Sequence, residues 1–299
     1  MANPRKIGPR GTLEYEYVQL GGPAPFDMWV TKIHTRSSNP AQIHHESMMV
    51  VKNPIEYYEK QADAQRDKES DVEKRDGDIP LYILDAMVDD FRNGADPYFV
   101  RKGVFASGRV QPNVLPPRTA IFIPKGHYVI LEVHYLGNGR EDSEQTSIDF
   151  HGFKKQPAGF RRIKSTSLYE TSYVIPPRRK RYVVTFRPKS FPRDIHIQYL
   201  LSHMHVRGRA LRMELLKPEK APEVLISIPD FDFSWHTGAE FVPEKPIFVP
   251  KDAGLRVVCE FDNSPENPAN PDPDKEIKFG QTFDRNEMCK MNFGYTDAE

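Results

Sequence analysis

The sequence predicts an all-β protein, and three observations carry that expectation. Short apolar runs rich in β-branched and aromatic residues recur along the chain, bounded by Pro, Gly and Asn. The 27 prolines among 299 residues fit frequent turns. Several short strands with turns between them suggest a sandwich or jelly roll.

Taken in order, residues 13–19 (Leu-Glu-Tyr-Glu-Tyr-Val-Gln) and 129–135 (Val-Ile-Leu-Glu-Val-His-Tyr) read as strands of a first half. Residues 182–186, 195–201, 210–215 and 255–261 read as strands of a second. Two turn phrases feed apolar strands, Ile123-Pro124-Lys125-Gly126 and Val249-Pro250-Lys251-Asp252-Ala253-Gly254, and hint at two halves of similar architecture. Between the first strands lies a different segment. Residues 56–77 are dense in mixed charge and read as a solvated helix or mobile insertion. Residues 81–93 read as a short second helix on the spacing of Ile83, Met87 and Phe91. A basic, Pro/Gly-containing stretch at 154–164 reads as a linker. The expected domains are therefore residues 1–160 and 161–299, with a small helical, charged insertion in the first.

The 42 basic and 42 acidic residues balance to a formal charge of +0, which argues against a nucleic-acid or anionic-membrane surface. No run of about 18 apolar residues is present, so no membrane-spanning helix is expected. The first residues carry no apolar leader segment. Cys259 and Cys289 are the two cysteines. They are either free thiols of a cytosolic protein or one disulfide closing a Pro/Asn-rich excursion, which would stabilise by roughly 3 to 4 kcal/mol and imply an oxidising compartment.

Two groups of side chains carry potential chemistry. His203 and His205 are two apart on a strand and share a face, so both imidazoles can reach one metal ion. They are expected to be exposed beside a turn at Arg207-Gly208. A thioether from Met288 would complete a set of two nitrogens and one soft sulfur, which favours copper over zinc. Structural histidines are the plainer reading of such a pair. The first half supplies His44, His45 and His134, a set suited to copper, zinc or iron. Adjacent residues on a regular strand face opposite ways, so His44 and His45 can share an ion only at a bulge or strand end. His34, His127, His151, His196 and His236 read as structural or surface groups; His196, seven residues before His203, is expected on the opposite face. Phe231, Phe233 and Trp235-His236 read as core or pocket lining.

Those residues, with Leu131-Glu132-Val133-His134-Tyr135, Gly208, Cys259 and Glu287-Met288-Cys289 in this order, resemble the copper type II, ascorbate-dependent monooxygenases. That family includes the peptidylglycine alpha-hydroxylating and dopamine beta-monooxygenases, and residues 262–268 and 279–282 are similar to its bacterial members. The resemblance implies two tandem jelly-roll β-sandwich domains across a solvent-filled cleft, and two copper ions. It implies that His44, His45 and His134 hold the copper that stores and delivers an electron. His203, His205 and Met288 would hold the copper that activates dioxygen. Ascorbate or an equivalent donor would supply electrons, with a protein donor as an alternative, and a C–H bond of a small molecule or peptide would be hydroxylated. It also implies a Cys259–Cys289 disulfide, and hence a periplasmic or extracellular location. Glu287, Glu132 and Tyr135 would support the ligands from behind, Glu287 equally as a turn cap.

The sequence departs from the family at informative positions. Leu201 stands where peptide-amidating members carry an Arg that grips the substrate carboxylate. Lys290, Met291 and Asn292 follow Met288-Cys289 in place of the expected Asn and Tyr, and Glu132 stands where animal members commonly carry Gln. A glycine-extended peptide is therefore not the expected substrate. The altered anchors also motivate an alternative, a copper-binding or electron-transfer protein of the same fold without hydroxylase activity. The segment 56–116 has no family counterpart.

Overall fold

The computed structural model describes residues 5–7, 16–66, 79–106, 112–135, 139–233, 240–280 and 283–298. Strands dominate the fold, and the chain divides into two compact units, Met1–Ser165 and Thr166–Glu299.

In the first unit, Glu16–Gln19, Tyr128–Tyr135, Ile43–Val51 and Val100–Ala106 form an antiparallel sheet in that spatial order. A second sheet orders Thr146–Phe153, Met28–Ser37, Thr119–Ile123 and Arg161–Arg162, with Asn113–Val114 paired to Met28–Ser37. The strand Ile43–Val51 is apolar on both faces from Met48 onward, and the reason is that both faces are covered. Met48 and Val50 alternate with Met49 and Val51, and all four are fully buried.

The cover on the second face is the helical insertion. Helices Ile55–Arg66 and Ile79–Arg92 place Ile55, Tyr58, Ala62, Tyr82, Ile83, Leu84 and Met87 in one cluster with Met49, Val51, Phe99 and Ile130. The expectation of a solvated insertion at 56–77 is corrected for its first turns. Tyr58 and Ala62 recur at i, i+4 beneath the charged residues and pack on the sheet. Residues 67–77 lie outside the described residues, as do 13–15 of the first expected strand.

The second unit is a sandwich of two sheets. One orders Lys164–Tyr169, Cys289–Asp297, Ile195–Met204 and Ile247–Val249. The other orders Tyr182–Thr185, Gly254–Phe261, Gly208–Leu216 and Glu223–Ile228, with Lys189–Ser190 paired to Gly254–Phe261. Inward residues of both sheets, among them Ile195, Ile197, Leu200, Met213, Leu255, Val257 and Phe293, make one core. Cys259 and Cys289 form a disulfide with Cα atoms 6.0 Å apart, tying one sheet to the other through that core.

Both turn phrases fold alike. His127 N donates to Pro124 O (3.1 Å) and Ala253 N donates to Pro250 O (3.0 Å), each turn opening a core strand. The basic stretch 154–164 is more than a linker. Arg161–Arg162 pairs in parallel with Thr119–Ala120, and Ile163 is fully buried with its N–H donating to Ala120 O at 2.8 Å. That pairing keeps it with the first unit, and the division falls at 165/166 rather than 160/161.

Two predictions test this packing. Met87→Ala empties a fully buried site under the sheet and should cost about 2–5 kcal/mol in urea unfolding. Replacing Cys259 by Ser opens a loop with a sequence separation of 30 and should cost about 3–4 kcal/mol, read against the oxidised parent.

Candidate metal centres

The first candidate centre is a cluster of three imidazoles at one end of the sheet that carries the helices. His45 pairs directly with His134 across neighbouring strands, so both side chains leave the same face. The register shifts between Ile43 and His45, leaving His44 in a bulge. The bulge resolves the constraint on an adjacent pair, because it lets His44 turn to the side that His45 occupies. The Nδ1 atoms of His44 and His134 are 3.4 Å apart, and those of His45 and His44 are 3.3 Å apart. All three residues offer ring nitrogens within 4.8 Å of one another.

That geometry fits a metal better than it fits hydrogen bonds. One imidazole nitrogen carries either a proton or a single lone pair, so Nδ1 of His44 can serve only one of its two neighbours. Nitrogens bound at about 2.0–2.1 Å to one ion lie roughly 3 to 3.5 Å apart. His44 and His134 are buried, so their donor atoms are presented without competing bulk water.

The groups behind this cluster divide by face. Glu132 is two residues from His134 on the same face, fully enclosed, and takes the Tyr17 hydroxyl (2.7 Å) and the Arg101 guanidinium. Tyr135 follows His134 directly and points to the opposite face. There its hydroxyl donates to Glu144 at 3.2 Å, on the side of the strand away from the His134 ring. Glu46, also on that opposite face, lies beside Thr146 and Glu144. Burial pushes the Glu46 carboxyl up to about 7, with Glu144 adding repulsion and Thr146 opposing.

The second candidate centre sits where Ile195–Met204 meets Cys289–Asp297. His203 pairs with Lys290 and Met204 with Cys289, and His205 and Met288 are the next residues beyond that last pair. The His203 and His205 ring centroids are 5.2 Å apart, as i, i+2 residues of one face require. The expectation of exposure is corrected: His203 is 9% exposed, His205 1% and Met288 5%. The residues are turn-adjacent as expected, with Gly208 N donating to His205 O at 3.0 Å.

Glu287 builds this arrangement. Its carboxylate accepts N–H bonds from His205 (2.9 Å), Arg207 (2.6 Å) and Met288 (3.1 Å). It caps the turn through the backbone and so fixes the chain on both sides of the ligand set. Nδ1 of His205 lies 3.2 Å from the Asn286 carbonyl, which suits a protonated Nδ1 and leaves Nε2 as the ligand atom. Burial pushes the Glu287 carboxyl up to about 8, opposed by the three N–H donors and the Arg207 guanidinium. Arg207 is fully buried. Its Nε donates to Asn263 Oδ1 (3.1 Å) and its Nη2 to Asp284 O (2.9 Å).

Among the described residues, the other histidines lie on strands and turns apart from both centres. His196 shows a corrected facing. A bulge between Ile197 and Tyr199 shifts the alternation, so Ile195, Ile197, Leu200 and Met204 all enter the core. His196 therefore lies on the same side of the sheet as His203, some 20 Å along the strand at about 3.3 Å per residue, against Phe248. His127 meets Asp96 at 3.3 Å. Phe231 belongs to the core, and half-buried Phe233 stacks on Phe283 and meets the His205 ring edge-on at 6.2 Å. Trp235 and His236 lie outside the described residues. Sequence reading missed Arg207, Arg101 and Tyr17; a charged residue inside the turn after the His-x-His pair is the signal that could have found the first.

No protein-family model matches the chain, and no curated protein matches it. Among solved structures it is similar to the major capsid protein P2 of bacteriophage PM2, at 9% identity over 99% of this chain and 97% of that one, with a TM-score of 0.35. It is also similar to the STIV major capsid protein (9% identity, 87% and 91% covered, TM-score 0.25). A third similar structure is the T=1 Penaeus vannamei nodavirus particle (6% identity, 99% and 100% covered, TM-score 0.19). At these scores the likenesses carry no argument about this chain.

Glu287→Ala strands three buried backbone N–H donors, those of His205, Arg207 and Met288. Each stranded donor costs about 1–3 kcal/mol, so a loss above about 3 kcal/mol is expected in urea unfolding. Glu287→Gln keeps one carbonyl acceptor and should lose less.

Proposed function

We propose that the protein is a copper-dependent monooxygenase that uses dioxygen and an external reductant such as ascorbate to hydroxylate a C–H bond of a small molecule or peptide. The observation that carries the proposal is the convergence of His44, His45 and His134, with Nδ1 separations of 3.3 and 3.4 Å that match one shared ion, at a bulge in the strand. It is supported by a second, chemically different donor set, His203, His205 and Met288, of which His205 and Met288 are tied through their backbone N–H groups to one carboxylate.

The two sets differ in the way such a reaction requires. Three imidazoles suit an ion that changes oxidation state without meeting oxygen. Two imidazoles and a thioether favour Cu(I), the form that reacts with dioxygen. Copper, when bound, supplies the electron transfer and the oxygen activation. The chain's own contribution is positional. Glu287 fixes His205 and Met288 through their backbone N–H groups, and the Asn286 carbonyl sets the His205 tautomer. Leu201 and Lys290 flank His203 along and across the strand, so the side of the sheet from which His203 projects is part apolar and part cationic. The tandem jelly-roll description, the periplasmic or extracellular location and the reductant belong to the same proposal. The disulfide fits an oxidising compartment, and among the described residues no helix is long and apolar enough to cross a membrane.

The test is copper stoichiometry with oxygen uptake. The parent should bind two coppers and consume oxygen with ascorbate in the presence of substrate. His134→Ala should bind one. Met288→Ala should keep the three-His copper and lose coupled turnover by about 10- to 100-fold or more, since loss of a group that merely supports a ligand already costs about that much. Full coupled turnover in Met288→Ala would end the role given to that thioether. Two bound coppers with no substrate-dependent oxygen consumption would instead establish the electron-transfer alternative.

A further inference from the structure

We propose that the interior of the first unit contains a binding site for a hard divalent cation, Ca2+ by preference, formed by Glu46, Glu144, Thr146 and Tyr135. The four residues come from separate strands, Ile43–Val51, Asp142–Glu144, Thr146–Phe153 and Tyr128–Tyr135, and all are buried. They lie on the face of the sheet opposite the three imidazoles, which take no part in the site.

The hydrogen-bond arithmetic is what points to a ligand. Oγ1 of Thr146 lies 2.8 Å from Oε1 of Glu46 and 2.7 Å from Oε1 of Glu144. A hydroxyl has one proton, so it can satisfy only one of the two carboxylates. The Tyr135 hydroxyl donates to Oε2 of Glu144 at 3.2 Å. Oε2 of Glu46 is buried with no hydrogen-bond partner, although its sister oxygen places the same carboxylate head within the cluster. Among the described residues no cationic side chain pairs with either carboxylate. Two neighbouring carboxylates enclosed in a protein interior need either a proton or a compensating cation.

The donor atoms decide its class. All are oxygens, four from the two carboxylates and two from the hydroxyls, at the low end of the six to eight that Ca2+ takes. Oxygen-only sets suit Ca2+, Mg2+ and Mn2+ and discriminate against the soft ions that imidazole and thioether groups attract. Enclosure leaves little room for retained water, which favours Ca2+ over the more firmly hydrated Mg2+.

The experiment uses the full chain, treated with chelator and titrated with Ca2+ alone, read by thermal unfolding and by calorimetric titration. The expected result is a rise in Tm of about 3 °C or more near saturation. Glu144→Gln should abolish the rise, and His134→Ala should retain it, because the imidazoles face the other way. Thr146→Val preserves shape and removes one ligand, so it should weaken Ca2+ binding at least tenfold and serves if Glu144→Gln does not fold. An unchanged Tm with no heat of binding in the parent would mean that the two carboxyls share a proton, and would overturn the proposal. A response that survives Glu144→Gln would place the cation elsewhere and would overturn it equally. Neither outcome depends on whether the protein binds copper.

Discussion

The Glu287 carboxylate is the interaction on which the second unit's functional geometry depends. Three backbone N–H groups from two chain segments separated by some eighty residues converge on it. A buried carboxylate without donors would be intolerable, and a turn with three unsatisfied N–H groups equally so. Each defect resolves the other, and the by-product is that His205 and Met288 are tied to one carboxylate. Arg207 extends the arrangement outward to Asn263 and Asp284, so the Asn/Pro-rich excursion before Met288 is anchored to the same turn. The Cys259–Cys289 bridge then fixes the strand after Met288 to the facing sheet. The position of Met288 is thus set by polar contacts on one side and by a covalent bond at the next residue on the other.

The first unit solves a different problem. Its histidine strand is covered on both faces, by helices over Met49 and Val51 and by the sandwich interior over Met48 and Val50. A strand so enclosed cannot slip its register without burying polar groups and exposing apolar ones. That rigidity holds a bulge at Ile43–His45, where an extra residue would otherwise relax away. The helical insertion therefore contributes to the three-histidine cluster by covering the strand that carries His44 and His45.

Much of this was legible in the sequence. The strands at 129–135, 195–201, 210–215 and 255–261 were readable from β-branched and aromatic runs between turn residues, and they occur within one to three residues of those bounds. The helix at 81–93 was readable from Ile83, Met87 and Phe91. Bulges defeat counting. One in Ile195–Met204 reverses the side on which His196 lies, and no residue in that strand announces it. Mixed charge concealed the packing of Tyr58 and Ala62, since two apolar positions four apart are a faint signal among so many charged neighbours.

By itself, then, the sequence determined the β architecture, the shared face of His203 and His205, and the pairing of its two cysteines once a disulfide is granted. The first two follow from residue type and short-range spacing, which the chain carries locally, and the third from there being two cysteines. Only the tertiary structure decided which face each side chain occupies after a bulge, that His203 and His205 are buried, and that Glu287 and Arg207 organise the turn between them. Glu46, Glu144 and Thr146 meet only there too. Such meetings join residues up to about a hundred apart, and their energies come from exclusion of water by the whole fold, which no local pattern encodes.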